Sequence, residues 1–361
     1  MIKLPASKYS IGKLSQAKLI LLITVLCGLS YILHMTLVIV FLLVILVLYL
    51  ATVKKNTPSF KNVFLYLSLL FVIILSLSYI IIRNGATCYY IPFVAVPMLA
   101  EMLFCDLGFS LFTTLAASVA VSSVCGNNFN LFLLFTTSGL VSILLVKEAP
   151  RRSQVIRAGI IVGFIQAILL MIISQSAMNH WENYLTLFLN GIACSFITLG
   201  TLPIFEYLFN TVTDISLLEL ADFNQPLLQQ LVKEAPGTFH HSLVVGNLSD
   251  AAAKAVGAHA LLARVGAYYH DIGKLSKPDY FSENQGNNEN IHDELSPTMS
   301  KLVIMNHVKE GLDLAKKYKL SQRIMDFIQQ HHGKSLVYYF YRRALEGKEE
   351  DQEVSWRTKM T

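Results

Sequence analysis

Histidine and aspartate residues that could bind metal ions are concentrated late in the chain. Eight of the ten histidines follow Asn210, and they include the pairs His270-Asp271 and His331-His332. Imidazole suits iron, manganese and zinc, and an adjacent carboxylate can bridge two such ions. Six nitrogen and oxygen ligands are too many for one tetrahedral zinc ion, so the pattern indicates two metal ions that share Asp271. The candidate ligands are His241, His270, Asp271, His307, His331 and His332.

A single histidine more often has a structural role, as a hydrogen-bonded polar residue or as a cation at a helix end. That interpretation suits His259 and His292, which we leave out of the ligand set. It would also cover His332 taken alone. The structural interpretation does not account well for the whole set, which contains a His-Asp pair, a His-His pair and two further histidines. We therefore favour the metal site.

Helices must position these side chains, because the sequence after Asn210 shows no strand-like alternation of any length. The His-Asp and His-His pairs fall at predicted helix C-terminal ends, and several such ends could converge on one pocket. Predicted helices cover residues 226–234, 238–256 with Thr238 as N-cap and His241 in the first turn, 259–270, 296–310 ended by Gly311, and 321–332.

The first 209 residues are too apolar for a soluble domain. The whole chain is 54% hydrophobic and 15% charged, with a mean hydropathy of +0.51, whereas soluble domains are about 25% charged. Several apolar segments approach the roughly 20 residues that span a bilayer. Glu101 and Asp106 lie at the end of the fourth segment, where we expect carboxylates to reach headgroup water. The eight predicted spans are 19–31, 36–53, 63–82, 89–105, 107–125, 129–146, 155–174 and 185–209.

The placement of lysine and arginine favours both chain ends in the cytosol, as in a multi-pass protein of the plasma (inner) membrane. Basic residues lie before the first span and in loops 54–61 and 147–157, whereas loop 174–185 has no Lys or Arg. One long helix over residues 19–53 would give seven spans and leave the N-terminal lysines outside. A cleaved signal peptide is another interpretation of the first segment, but no small-residue cleavage pattern follows Leu26.

Charge and cysteine usage exclude other classes. From Asn210 onward the chain has 17 Lys/Arg against 19 Asp/Glu, which gives no support to a DNA or RNA partner. All five cysteines precede Asn210 and suggest neither a disulfide framework nor a cysteine metal site.

Several separated motifs resemble the seven-transmembrane HD-domain phosphohydrolase family. The run HHSLVVGNLSDAAAKAVGAHALLARVGAYYHDIGK is similar to the metal-binding core of HD-domain phosphohydrolases. The motifs PGTFHHS, ENQ, MNHV and QHHG, and RRSQVIRAGIIVGF in the membrane half, bring the match closer to the seven-transmembrane members. The resemblance implies a polytopic helical membrane bundle followed by an all-α HD-type metal-binding domain. It also implies hydrolysis of cyclic di-AMP to linear pApA.

The resemblance further implies roles for single residues. His241, His270 and Asp271 match the ligands of one metal ion, and Asp271 matches the bridge to a second ion. We expect two divalent transition-metal ions, Mn or Fe. The expected partners are a cyclic dinucleotide substrate, the lipid bilayer and a second copy of the chain in a homodimer. The matching ligands of the second ion, besides Asp271, are His307, His331 and His332.

A phosphodiester is an anion that resists attack by neutral water. Two divalent cations would offset its charge, make hydroxide available near neutral pH and hold the attacking and leaving oxygens. Lys274 lies one helical turn after His270 and could direct its ammonium group at a phosphate oxygen. The simpler alternative is a solvated lysine at a helix end. We take Asp271 and Lys274 as the candidate catalytic residues.

Two features differ from the family pattern. Family members carry an extracellular domain between a first span and seven further spans, and a tight turn near His34 stands in its place here. The family also supplies an Asp ligand beyond the His-His pair, and we expect a C-terminally truncated chain without it. Asp351 is the one acid that could be recruited, but it lies in a charge run typical of a solvated segment.

Two classes of function therefore remain open: an active phosphodiesterase, and a catalytically impaired regulatory membrane protein that binds nucleotide or metal. A transporter is a weaker alternative, because the spans lack paired Gly/Pro breaks and hold few charges. Cyclic di-GMP ranks below cyclic di-AMP, because no Gly-Tyr-Pro signature follows QHHG. The predicted organisation is a transmembrane domain at 1–209, a connector at 210–225, an HD-type domain at 226–345 and a charged tail at 346–361.

Overall fold

The fold is all-α throughout the part of the chain that the structure describes. A computed structural model describes residues 60–147, 149–174, 181–286, 290–335 and 337–346. These residues form α-helices and short 3-10 helices with no strand among them, which confirms the predicted fold class. They fall into two compact units that divide between Phe205 and Glu206.

The first unit is a set of apolar helices. Among the described residues, α3 to α6 are long and apolar enough to cross a membrane. The predicted spans at 19–31 and 36–53 lie outside the described residues. The helices are α1 (Phe60–Arg83), a 3-10 helix (Cys88–Tyr90), α2 (Ala95–Phe104), α3 (Leu107–Val124), α4 (Phe129–Val146), α5 (Arg152–Ser174) and α6 (Trp181–Phe209), whose last residues belong to the second unit.

The carboxylates at the end of the fourth predicted span have two different environments. Glu101 lies in α2 and is only 2% exposed, so the expectation that it reaches headgroup water is wrong. The reason is that α2 packs against both α3 and α4, which buries nearly its whole length. Asp106 instead caps the next helix, because its side chain accepts a hydrogen bond from the Phe109 amide at 3.0 Å.

The second unit packs short helices around one apolar core. Leu217, Leu231, Val265, Ile324 and Ile328 are fully buried in it and come from four different helices. Burial of such side chains is the main force that holds the helix ends together. The helices are α7 (Asp214–Leu220), α8 (Pro226–Glu234), α9 (Pro236–Ala255), α10 (Ala260–Tyr269), α11 (Pro297–Lys317), α12 (Gln322–Gln330) and α13 (Tyr338–Glu346), with 3-10 helices at Ile272–Ser276, Pro278–Tyr280, Ser282–Asn284 and Ile291–Asp293.

Two predicted helix ends are wrong, and in both cases a contact distant in sequence is the cause. Helix α9 begins at Pro236, so Thr238 is not its N-cap. The amide of Thr238 donates instead to the Asn284 side chain at 3.0 Å. Gly311 does not end α11, which continues to Lys317. Gly311 lies inside the helix because the backbone of Gly273 packs closely against it.

Candidate metal centre

The Asp271 carboxylate lies at the centre of the site and is almost completely buried, with a side chain only 4% exposed. Its Oδ2 atom lies 3.1 Å from His270 Nε2 and 3.9 Å from His241 Nε2. Its Oδ1 atom lies 3.3 Å from His307 Nε2 and 3.5 Å from His331 Nε2. The two carboxylate oxygens therefore face two different sets of imidazoles.

The remaining candidate, His332, completes the second set. Its Nε2 atom lies 3.2 Å from His307 Nε2, which in turn lies 3.1 Å from His331 Nε2. The structure thus brings the five candidate histidines together around the Asp271 carboxylate. Within each of two groups, the potential ligand atoms lie within 4.8 Å of one another; the groups are His241, His270 and Asp271, and His307, His331 and His332.

Backbone hydrogen bonds fix the orientation of three of these rings. The rings of His270 and His331 contact the carbonyl oxygens three residues earlier through Nδ1, at 2.7 and 2.9 Å, and His307 makes the same contact. A carbonyl oxygen only accepts, so each Nδ1 atom carries the hydrogen. In the neutral ring the Nε2 lone pair is then directed at the cluster, as metal-binding histidines require.

The spacing of these nitrogens fits a metal ion. Lone pairs that face each other at 3.1 to 3.2 Å repel unless a proton or a cation lies between them. Two imidazoles that bind one ion at about 2.1 Å, at angles between a right angle and the tetrahedral value, are about 3.0 to 3.4 Å apart. The residues therefore suit a divalent transition metal in both donor type and distance.

Electrostatics keeps the donors in the states that a metal ion needs. Burial alone would raise the pKa of Asp271, but the close contacts with three neighbouring histidine rings outweigh burial and hold the pKa well below its usual range. Burial, reinforced by the adjacent histidines, lowers the pKa of His332 to about 4. Burial also lowers the pKa of His241. At neutral pH the carboxylate is charged, and His332 and His241 are neutral.

Four helices deliver the imidazoles. His270 and His331 are the C-cap residues of α10 and α12, as the sequence predicted for the pairs at helix ends. His307 lies in the middle of α11. His241 lies in the second turn of α9 rather than in the first, because the helix begins at Pro236.

A cavity of about 420 Å³ opens over the carboxylate. Lys274 lies in its wall, with Nζ 2.9 Å from Asp271 Oδ2 and 2.6 Å from Glu283 Oε1. The sequence indicated a role for Lys274 and none for Glu283, although Glu283 begins the motif ENQ. Other residues that line the cavity are Tyr280, Phe281, Asn290, His292, Tyr339 and Phe340.

The two histidines left out of the ligand set have structural contacts. His292 Nε2 lies 2.7 Å from the carbonyl oxygen of Tyr280 and lies in the cavity wall. His259 caps α10, where its Nδ1 atom accepts from the Leu262 amide at 3.2 Å. Its Nε2 atom lies 3.2 Å from a carboxylate oxygen of Asp214 in α7. Neither histidine belongs to the two metal-competent groups.

Comparison with known proteins agrees with this geometry. Residues 238–355 match the HD domain, and residues 18–213 match the family described as 7TM receptor with intracellular HD hydrolase. An HD-type hydrolase domain attached to an apolar helical unit is the class of protein that the fold and the site define. The second match covers more than half of the chain, and the chain belongs to that family.

Two relatives are cyclic-di-AMP phosphodiesterases named PgpH. The protein of Bacillus subtilis (strain 168) is 34% identical over 342 residues, which cover 88% of this chain and 48% of the relative. The protein of Listeria monocytogenes serotype 1/2a (strain 10403S) is 34% identical over 327 residues, which cover 86% of this chain and 45% of the relative. The chain therefore spans about half the length of the curated relatives it matches.

A solved structure also matches part of the chain. It is the HD domain of L. monocytogenes PgpH in complex with cyclic-di-AMP, at 45% sequence identity and a TM-score of 0.35. The match covers 37% of this chain and 62% of the solved chain.

Proposed function

We propose that this protein is a membrane-anchored, metal-dependent phosphodiesterase that hydrolyses a cyclic dinucleotide, with cyclic di-AMP as the substrate. The observation that carries the proposal is the Asp271 carboxylate, whose two oxygens face separate imidazole groups at the base of an open cavity. The names of the two PgpH relatives support the substrate.

The residues would hold two divalent transition-metal ions, Mn or Fe. One ion would take His241, His270 and Asp271 Oδ2, and the other would take Asp271 Oδ1 with the three remaining histidines. When bound, two such ions would supply positive charge near the phosphodiester and lower the pKa of a water molecule. The chain contributes the geometry, because Asp271 is buried and three of the rings are oriented by backbone carbonyls.

The walls of the cavity suit the rest of a nucleotide. Tyr339, which is 60% exposed, lines the cavity together with Tyr280 and Phe281. Aromatic faces of this kind stack on nucleobases, with each base contributing about 1–3 kcal/mol. Lys274 would contact a non-bridging phosphate oxygen and offset the charge that develops there.

The apolar helices of the first unit support a membrane location for the protein. These helices would anchor the protein in the plasma (inner) membrane, with the catalytic domain in the cytosol. The lysine and arginine bias of the loops supports that orientation. The homodimer expected from the sequence stays a prediction.

The test is turnover by the purified full chain in detergent with Mn²⁺. The protein should convert cyclic di-AMP to pApA and should hydrolyse cyclic di-GMP more slowly. Asp271→Asn should remove both activities. The matched control is His240→Ala, since His240 is exposed beside His241 and lies outside both metal groups. Binding of cyclic di-AMP without turnover would overturn the enzymatic proposal and favour the regulatory alternative.

A further inference from the structure

The loop that contains Glu283 is fixed to the first turn of α9 by backbone and side-chain contacts. A Cβ atom on Gly237 would lie 1.8 Å from the carbonyl oxygen of Glu283, so only glycine allows this approach. The Thr238 amide donates to Asn284 Oδ1 at 3.0 Å, and Asn284 Nδ2 donates to Thr238 Oγ1 at 2.9 Å. The loop is therefore docked rigidly beside the helix that carries His241.

The Glu283 side chain connects this docked loop to Lys274. The Thr238 hydroxyl donates to Glu283 Oε1 at 3.1 Å, and the Lys274 ammonium donates to the same oxygen at 2.6 Å. Thr238 is completely buried, so the hydroxyl group that binds the Glu283 carboxylate has a fixed position. Burial alone would raise the pKa of Glu283, but the Lys274 ammonium has the larger effect and keeps that pKa below its usual value.

Lys274 has a second partner whose oxygen the metal centre also needs. Its Nζ atom lies 2.9 Å from Asp271 Oδ2, the same atom that faces His270 at 3.1 Å. A metal ion bound at that oxygen repels the ammonium group and competes with it for the lone pairs. Glu283 is then the carboxylate that remains in contact with the Lys274 ammonium. The centroid of the Phe281 ring lies 4.9 Å from Nζ and limits movement of the lysine side chain on another side.

An ammonium group in this position would be poorly placed without a fixed counter-ion. The Lys274 side chain is only 13% exposed, so water cannot replace a lost partner fully. Lysine also has four rotatable bonds and many rotamers, so a single anchored carboxylate narrows its positions considerably. The charges of Lys274 and Glu283 cancel, which leaves the net charge of the metal centre unchanged.

We propose that Glu283 is a positioning residue, held by Thr238, that keeps the Lys274 ammonium at the edge of the metal centre when metal ions occupy Asp271. The inference rests on the proposed phosphodiesterase function. Glu283 acts through Lys274 and binds neither metal nor substrate. Its role explains why the loop is docked so closely on α9.

The test compares Glu283→Gln with the unmodified full chain. Glutamine keeps an oxygen for Thr238 and loses the charge that holds the ammonium, so the protein should fold and retain its metal content by elemental analysis. Turnover of cyclic di-AMP at subsaturating substrate should fall roughly 10- to 100-fold, the size expected when a catalytic group is misplaced by about 1 Å. Glu294→Gln is the matched control, since Glu294 is exposed and lies outside the cavity.

A double-mutant cycle separates positioning from an independent role. In a Lys274→Ala background, Glu283→Gln should change turnover less than about 2-fold, because the group that it positions is gone. If the fold-loss in turnover of the double variant equals the product of the two single fold-losses, the two residues act independently and the proposal is overturned. Loss of metal from Glu283→Gln would also overturn it, since Glu283 would then be a ligand.

A labelling experiment gives a readout that does not depend on turnover. In the Mn²⁺-loaded protein, an amine-acetylating reagent should modify Lys274 several-fold faster in Glu283→Gln than in the unmodified chain or in Glu294→Gln, as measured by peptide mass spectrometry. Equal labelling would refute the positioning role. If the unmodified chain does not hydrolyse cyclic di-AMP, the proposed function fails, while the labelling comparison still decides the role of Glu283.

Discussion

Gly273 and His307 approach each other so closely that a Cβ atom on Gly273 would lie 1.8 Å from the carbonyl oxygen of His307. The same atom would lie 2.5 Å from the amide nitrogen of Gly311. Through this contact the turn after Asp271 rests directly on α11. The contact sets the distance between Asp271 and His307, and with it the distance between the two groups of candidate ligands.

Gly273→Ala should therefore be severely destabilising. The backbone of α11 cannot move away without separating the ligands, so the cost should exceed about 4 kcal/mol, the range of exceptional single substitutions. The measurement is thermal unfolding of the purified variant together with its metal content. Gly286→Ala is the control, because a Cβ there meets nothing within 4 Å and its φ needs no glycine. Equal melting temperatures for both variants and the unmodified chain would contradict the role of the contact.

Asp271→Ala should remove both metal ions, because each carboxylate oxygen faces one of the two groups. His332→Ala should mainly reduce occupancy of one ion, since His332 belongs to the second group. Elemental analysis after dialysis against limiting Mn²⁺ measures both effects, with His240→Ala as the control. Full metal content in Asp271→Ala would rule out the bridging role.

The contact between His259 and Asp214 should make stability depend on pH. A hydrogen bond to Asp214 raises the pKa of His259 above its usual 6.5, although burial works against the shift. The charged contact is then complete below about pH 6.5 and is lost as pH rises through the raised pKa. Both side chains are more than 40% exposed, so the contribution should be at most about 1 kcal/mol.

His259→Asn tests this contact, because asparagine keeps an N-cap acceptor and removes the titratable ring. The unmodified protein should melt above the variant at pH 6, and the difference should shrink by pH 8.5. Thermal unfolding across this range measures the difference directly, and other titrating groups cancel between the two proteins. A difference that does not change with pH would show that the contact is not charged.

Membrane orientation can be tested with reporters that work on only one side. Alkaline phosphatase, which is active outside the cytosol, should be active when fused after Ser174 and inactive when fused after Arg151 or Thr361. A cytosolic fluorescent reporter should give the opposite result. The basic residues of loop 147–157 and their absence from loop 174–185 are the reason. Phosphatase activity at Thr361 would place the catalytic domain on the other side.

The sequence was sufficient for the helical class and for bringing six candidate ligands to one place. Adjacent residues such as His270 and Asp271 can be assigned to a helix end from local patterns alone, and local patterns are what a single sequence shows. The resemblance added the pairing of the ligands. The helix ends depend on neighbours a few positions apart, whereas the convergence of the six ligands was inferred from their residue types and from the resemblance.

The features that could not be predicted all depend on contacts between distant segments. Gly311 looked like a helix terminator because its partner, Gly273, is far away in the chain. Glu101 looked interfacial because nothing in its own segment shows that α2 is covered by two other helices. Glu283 had no assigned role because its function arises from Thr238 on one side and Lys274 on the other.

The hydrogen bond from the Thr238 amide to Asn284 crosses 46 positions of sequence and takes the place of an N-cap for α9. An amide hydrogen exchanges with solvent only while its hydrogen bond is broken, so this one reports each opening of the loop. The loop forms part of the cavity wall and α9 carries His241. Fraying of the helix and widening of the cavity are therefore a single local event with a single frequency.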